Sequence, residues 1–280
     1  MSLKKKKGDT FYWVYGEKTD RPDIVMVHGF RGTHHGLELI TSNIKNHRVI
    51  IPDLPGFGET KPIEGTIHTL ETYVEWLANF IDGLNLKQKP ILMGHSFGSI
   101  VVSHFAVKYG DKIKCLILEN PISDPALKGP RAFATRLAIV YYWLGFKLPE
   151  KIGHKILSSR FVINIMTKIM SKTKDKKIKD YAKDQHLKHF SSFYDRKFLE
   201  EVFKTSIGNN VIEVASKIKL PTLIIAGEKD DITSLKTQIK LSKIIKNSKL
   251  EIVKNTGHLT QYEEPKKVAG VIEAFSDQLN

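Results

Sequence analysis

Short runs of β-branched and aliphatic residues recur along the chain, each followed by a loop marked with glycine or proline. They are Ile24 to Val27, Val49 to Ile51, Ile91 to Met93, Cys115 to Leu118, Thr222 to Ile225 and Leu250 to Val253. Apolar runs without polar alternation predict strands buried on both faces. Between them, Thr69 to Leu84, Ile100 to Tyr109 and Leu235 to Ile245 carry apolar residues at helical spacing. Strands that alternate with helices predict an α/β fold on a mostly parallel sheet flanked by helices. Phe11 to Tyr15, aromatic and early, reads as an antiparallel edge strand.

One region breaks this rhythm. From about Pro121 to about Asn210 no run reads as a strand, and helical patterning continues with aromatics and many lysines. The expected organisation is therefore a core made of residues 1–120 and 211–280, with residues 121–210 inserted as a helical lid. The insertion carries 18 Lys plus Arg against 8 Asp plus Glu, so it holds most of the chain's formal charge of +14. The lysine runs Lys4 to Lys7 and Lys172 to Lys179 read as solvated surface.

Composition fits a globular protein. Two hundred and eighty residues, 41% hydrophobic and 26% charged, can bury a sizeable core, which excludes wholesale disorder. The longest nearly apolar stretch, Leu137 to Phe146, is about half the roughly 20 residues of a membrane-spanning helix. A single cysteine, Cys115, forbids an internal disulfide and suits a reducing compartment. The basic start has no apolar run behind it long enough for a signal peptide, so a cytoplasmic protein is expected. Of the 44 basic residues only seven are arginine, whereas base readout and phosphate clamping favour arginine forks. No nucleic-acid partner is expected, and nothing sets an oligomeric state.

Directly after the strand Ile91 to Met93 comes Gly94-His95-Ser96-Phe97-Gly98, a G-x-S-x-G match that opens a helix. A serine on such a strand-to-helix turn has a strained backbone and an exposed hydroxyl, the arrangement of a nucleophile elbow. A serine hydroxyl is a weak nucleophile at neutral pH and needs a histidine base, itself oriented by a carboxylate. His258 follows the strand Leu250 to Val253, and Asp230 follows the strand Thr222 to Ile225. Both fall where side chains project from strand ends. Asp231 is a rival acid, and Glu119, after Cys115 to Leu118, a more distant one. Two backbone N–H groups are needed for the developing oxyanion. Phe97 supplies one, and Phe30 in the loop His28-Gly29-Phe30-Arg31-Gly32 supplies the other. His28 reads as a structural hydrogen-bonding residue under that loop. His34 and His35 are adjacent, but no third ligand has suitable spacing, so neither a metal nor a cofactor is expected.

With these pieces assembled, the chain resembles the α/β-hydrolase fold family, in particular its lid-bearing serine hydrolase branch. The matching segments are His28-Gly29-Phe30-Arg31-Gly32, Asp53-Leu54-Pro55-Gly56-Phe57-Gly58, Gly94 to Gly98, Gly227-Glu228-Lys229-Asp230 and Gly257-His258. The order Ser96, Asp230, His258 is the family's order. The resemblance implies a Ser-His-Asp catalytic triad, and Asp53 to Gly58 as a turn near the site. Epoxide hydrolases and haloalkane dehalogenases of this branch carry aspartate as nucleophile, so Ser96 disfavours both activities.

The expected function is carboxylic ester hydrolysis on a small to medium apolar acyl substrate. C–C bond hydrolysis, amidase action of the aminopeptidase type and lysophospholipid or monoacylglycerol lipolysis stand as alternatives, with a ligand-binding protein of the same fold outside the enzyme class. In the insertion, Phe133, Leu137, Val140, Tyr141, Trp143 and Leu144 predict an apolar helix from about Arg131 to Phe146. It is open to three roles: lining an acyl pocket, with Tyr141 and Trp143 as substrate contacts, packing on the core, or touching anionic lipid beside Lys147, Lys151 and Lys155.

Overall fold

The computed structural model describes residues 2–125 and 132–279. Eight strands form one sheet: β1 (Ser2–Lys7), β2 (Thr10–Tyr15), β3 (Ile24–Val27), β4 (Val49–Pro52), β5 (Ile91–His95), β6 (Cys115–Glu119), β7 (Thr222–Gly227) and β8 (Ser248–Val253). Their spatial order is β1-β2-β4-β3-β5-β6-β7-β8. β1 and β2 pair antiparallel, β2 joins β4 antiparallel, and every pairing from β4 to β8 is parallel.

The apolar runs alternate between two cores. Val25, Val27, Leu92, Leu116, Leu118 and Ile224 pack against the helices Leu70–Gly83 and Phe97–Lys108. Their strand neighbours Ile24, Met26, Ile91, Met93, Ile117 and Ile225 face the helix Pro265–Asp277. Each central strand is thus covered on both sides, which is why it reads as continuous hydrophobicity.

The expected edge strand is not the edge. β2 is flanked by β1, paired from Ser2↔Tyr15 to Lys7↔Thr10 across the turn at Gly8 and Asp9. All six β1 residues are exposed. Four consecutive lysines hide the strand pattern, yet charge is a common way for an edge strand to resist further pairing.

Between β6 and β7 the described residues form helices and no strand: Ala132–Lys147, Glu150–Leu157, Arg160–Met170, Lys176–Gln185 and Arg196–Gly208 among them. The first matches the expected apolar helix, although Arg131 and the side chain of Phe133 lie outside the described residues. No helix among the described residues is long and apolar enough to cross a membrane.

Candidate active site

The parallel strands β5 to β8 all end on one edge of the sheet, and the candidate residues sit in the loops there. Ser96 occupies the joint between β5 and the helix Phe97–Lys108 with φ 52° and ψ −118°, a conformation costly for any residue with a side chain. Packing imposes it. The Ser96 N–H donates to Glu119 O at 3.1 Å, and the Ser96 carbonyl accepts from the Ser99 N–H at 2.9 Å. A Cβ on Gly98 would stand 2.3 Å from Val27 O and 2.7 Å from His28 O, so only glycine lets the helix press this closely on the end of β3.

The structure brings Ser96, His258 and Asp230 together. His258 Nε2 lies 2.9 Å from Ser96 Oγ, and His258 Nδ1 lies 2.8 Å from Asp230 Oδ2. An ionised carboxylate only accepts, so Nδ1 carries the proton and Nε2 is left to accept from the serine hydroxyl. Burial alone would raise the Asp230 carboxyl. The charge and hydrogen bond of His258, with the N–H groups of Thr233 and Ile232, outweigh burial and hold it below the usual carboxylate range.

The rival acids are elsewhere. Asp231 forms an ion pair with Lys172 and is half exposed. Glu119 is buried, accepts from Thr260 Oγ1 at 2.6 Å and lies 3.4 Å from His95 Nδ1. Between them stands a residue the sequence reading did not single out. Asn120, with φ 42°, donates to His258 O at 2.9 Å and to Thr260 Oγ1 at 2.8 Å, and accepts from the Gly227 N–H at 2.8 Å. It holds the histidine loop against the end of β7.

Phe97 is the first residue of its helix, where an N–H has no intrahelical partner. The loop carrying Phe30 passes directly over the serine, since a Cβ on Gly29 would stand 3.1 Å from the Ser96 Cβ. His28 braces the loop from below. Its Nε2 accepts from the Leu54 N–H at 2.9 Å, so Nδ1 donates to Gly29 O at 2.9 Å. Burial pushes its pKa down to about 4, which keeps the ring neutral and both bonds intact. Arg31, 1% exposed with φ 58°, extends from the same loop into the inserted helices. It donates to Leu157 O at 3.0 Å and lies over the rings of Phe190 and Phe193. A lone arginine between two glycines was the only sequence signal for this anchor.

A cavity of about 200 Å³ opens on Ser96 and His258, lined among others by Phe30, Ile122, Met166, Met170, Phe190 and Tyr262. Tyr141 and Trp143, expected as substrate contacts, are not among its walls. The Tyr141 hydroxyl donates to Ile156 O and Leu157 O at 3.0 and 3.2 Å within the insertion, and Trp143 is 55% exposed. The helix turns them away because Tyr142 takes the buried position between them, stacked on Phe203.

A second, polar cavity of about 350 Å³ is larger but includes neither Ser96 nor His258. His34, His35 and Asp53 line it. Glu38 brings a third ligand atom within 4.8 Å of His34 and His35, a group that sequence spacing did not suggest. These side chains are already engaged, His34 Nδ1 with Asp53 and His35 Nδ1 with Glu38, each at 2.9 Å. Asp53 also accepts the Glu59 N–H at 3.0 Å, so the turn from Asp53 to Gly58 is held by its own aspartate.

Residues 22–265 match the family model for the alpha/beta hydrolase fold, and the chain belongs to that family. It is 27% identical over 274 residues to the monoacylglycerol lipase ABHD6 of Mus musculus, covering 94% of this chain and 78% of the relative. Lipase 3 of a Moraxella species is 22% identical over 287 residues, covering 99% and 84%. Among solved structures, the enol-lactonase of Burkholderia xenovorans superposes with a TM-score of 0.80 at 15% identity, covering 98% of this chain and 99% of the other.

Proposed function

We propose that this chain is a serine carboxylic ester hydrolase acting on small to medium apolar acyl groups. The observation that carries the proposal is the hydrogen-bonded line Ser96–His258–Asp230 at the floor of an apolar cavity. Ser96 Oγ attacks the ester carbonyl carbon while His258 Nε2 takes its proton. The carbonyl oxygen becomes an oxyanion facing the N–H groups of Phe97 and Phe30. His258 then returns the proton to the departing alkoxide, leaving an acyl-serine and an alcohol. Water, deprotonated by His258, attacks the acyl-serine to release the acid and regenerate Ser96. Asp230 holds the Nδ1–H tautomer throughout and stabilises the imidazolium.

The cavity is smaller than the about 300–1,000 Å³ of drug-sized sites, which favours a short to medium acyl chain. The inserted helices act in this reading as the lid over it, with the acyl chain against Met166 and Met170. Their outer surface fits a lipid source for that chain. Leu137, Val140 and Trp143 project from one helix and Phe161, Ile165 and Ile169 from another, Phe161 being 74% exposed. Residues 136–172 carry seven Lys plus Arg against one acid. Apolar side chains among cations suit the anionic cytoplasmic face of a bilayer.

Labelling with a fluorophosphonate, followed by a panel of p-nitrophenyl esters of increasing chain length, tests the proposal. The wild type should be labelled and turn over, with a preference at short to medium length. Ser96→Ala should lose labelling and at least about 10⁴-fold in kcat while its circular dichroism is unchanged. A labelled Ser96→Ala variant, or an unlabelled wild type, sinks the reading.

A further inference from the structure

The histidine loop does not stand on the core alone. The backbone N–H of His258 donates to Met170 O at 2.8 Å. Met170 is the last residue of the inserted helix Arg160–Met170, where carbonyls lack helical partners. The approach is close enough that a Cβ on Gly257 would stand 2.2 Å from the same oxygen. One carboxylate then spans both segments: Glu263, 4% exposed, accepts the Lys172 N–H on Oε1 at 2.9 Å and the Gly257 N–H on Oε2 at 3.3 Å. Burying a carboxylate is costly, and burial raises its pKa. Backbone donors from both sides of the joint are what it receives in return. Lys172 adds an ion pair to Asp231, beside Asp230, so the same few residues of the insertion touch the loops of both the base and its acid.

We propose that Glu263 is a positioning residue, clamping the end of the inserted helix Arg160–Met170 to the His258 loop so that this helix sets the position of the histidine. This rests on the proposed role of His258 as base. The inner face of the same helix presents Met166 and Met170 to the cavity. An acyl chain packed against them presses on the element that holds His258, so a chain long enough to reach the helix steadies the base and a shorter one does not. Chain length is thereby read in kcat as well as in KM. Misplacement by about 1 Å at a distance from the chemistry is enough to cost about 10²-fold, so a loosened clamp needs no loss of fold to be felt.

The test compares Glu263→Ala and Glu263→Gln with the wild type on acetyl, butyryl and octanoyl p-nitrophenyl esters. Glu263→Ala should lower kcat about tenfold or more on the longer esters with KM within about twofold, and should flatten the dependence of kcat on chain length. Glu263→Gln keeps one carbonyl oxygen as acceptor and should recover part of the loss. Proton NMR supplies a readout that does not depend on the substrate. The wild type should show a far-downfield resonance from the His258 Nδ1–H held by Asp230, and Glu263→Ala should broaden or shift it while the protein stays folded.

A Glu263→Ala variant with normal kcat, or one whose lower rate matches a lower folded fraction while the resonance is unchanged, overturns the proposal. If no ester is turned over even by the wild type, the ester reading fails by itself. The resonance then still decides the clamp, because it reports the histidine and not the substrate.

Discussion

Two helices that reach the same cavity, one only through its N-cap Ser96 and the other through Met166 and Met170, are built on opposite terms. In the helix Phe97–Lys108, behind the nucleophile elbow, nine of twelve residues are buried, and its first turn is pinned by β3, β5 and β6. In the helix Arg160–Met170, on the inserted side, only Ile163 and Thr167 of eleven are buried, and Phe161, Ile165 and Ile169 face outward. The first helix is packed along most of its length, so a change at most of its positions meets another group. The second is held by Thr167 against His186 and at its end through Met170, and its outer face is exposed. The tighter packing sits behind Ser96, and the looser packing sits on the side of the cavity that the insertion covers.

The largest effect should come from the rigid side. Asp230 is the carboxylate bonded to His258, whereas Asp231 reaches across to the insertion through Lys172. Asp230→Asn should lower kcat by about 10²–10⁴-fold, because the amide no longer fixes the Nδ1–H tautomer. Asp231→Asn should cost no more than about threefold, as expected of an exposed ion pair. Steady-state kinetics of the two variants on one neutral ester, with the folded fraction checked by circular dichroism, make the comparison. Equal losses would mean that the acid's role is shared across the join, and the contrast drawn above would fail.

This contrast also explains what could be read from the sequence. Gly98 and Ser96 are legible because backbone sterics at a strand-to-helix turn leave few residue choices. Asp230 and His258 are legible because strand ends were predictable and chemistry-bearing residues followed two of them. The misses are contacts with no residue signature. Met170 acts through a carbonyl that any residue would offer, and Asn120 and Arg31 carry positive φ values that no pattern of apolar positions records. Tyr141 and Trp143 were misplaced for a related reason. An apolar helix shows where its greasy positions are but not which neighbour they face, and here Tyr142 packs inward on Phe203. Strand β1 went unread because its lysines obey the rule for edges and not the rule for cores.

A pair of glycine substitutions sharpens the comparison at the level of stability. Gly98 has carbonyl oxygens of β3 and its following loop inside the space a Cβ would take, whereas Gly270, within the helix Pro265–Asp277, has nothing within 4 Å. Gly98→Ala should destabilise by more than about 3 kcal/mol, lowering the Tm by about 10 °C or preventing accumulation of folded protein. Gly270→Ala should stabilise by about 0.5–1 kcal/mol, since an exposed helix position gains from alanine. Thermal melts of both variants decide it, and a Gly98→Ala protein that melts with the wild type would show that the elbow is looser than its contacts imply.

The smallest expected effect is on acid stability, and it asks which region gives way first. Burial pushes His28 down to about 4, and burial with neighbouring histidines does the same to His186 and His189. An unfolded chain titrates its histidines near about 6.5, so between about 6.5 and about 4 the unfolded state binds more protons and acid favours unfolding. This stability is complete above about 6.5 and is lost as pH falls toward about 4. Asp53 and Asp230, held below the usual carboxylate range by their histidine partners against the effect of burial, keep their contribution through this window and lose it only at lower pH. His35, raised by its bond to Glu38, has the opposite sign and offsets part of this loss. The Tm should therefore fall by about 5 °C from pH 6.5 to pH 4.5. Two of the three histidines belong to the insertion, and His186 Nδ1 bonds Thr167 Oγ1 at 2.8 Å on the helix that ends at Met170. His186→Gln cannot be protonated and should reduce the slope of Tm against pH even if its Tm at pH 7 is lower. A slope unchanged in His186→Gln but removed in His28→Gln would place the acid-sensitive point in the core loop and reverse the order of rigidity argued for the two regions.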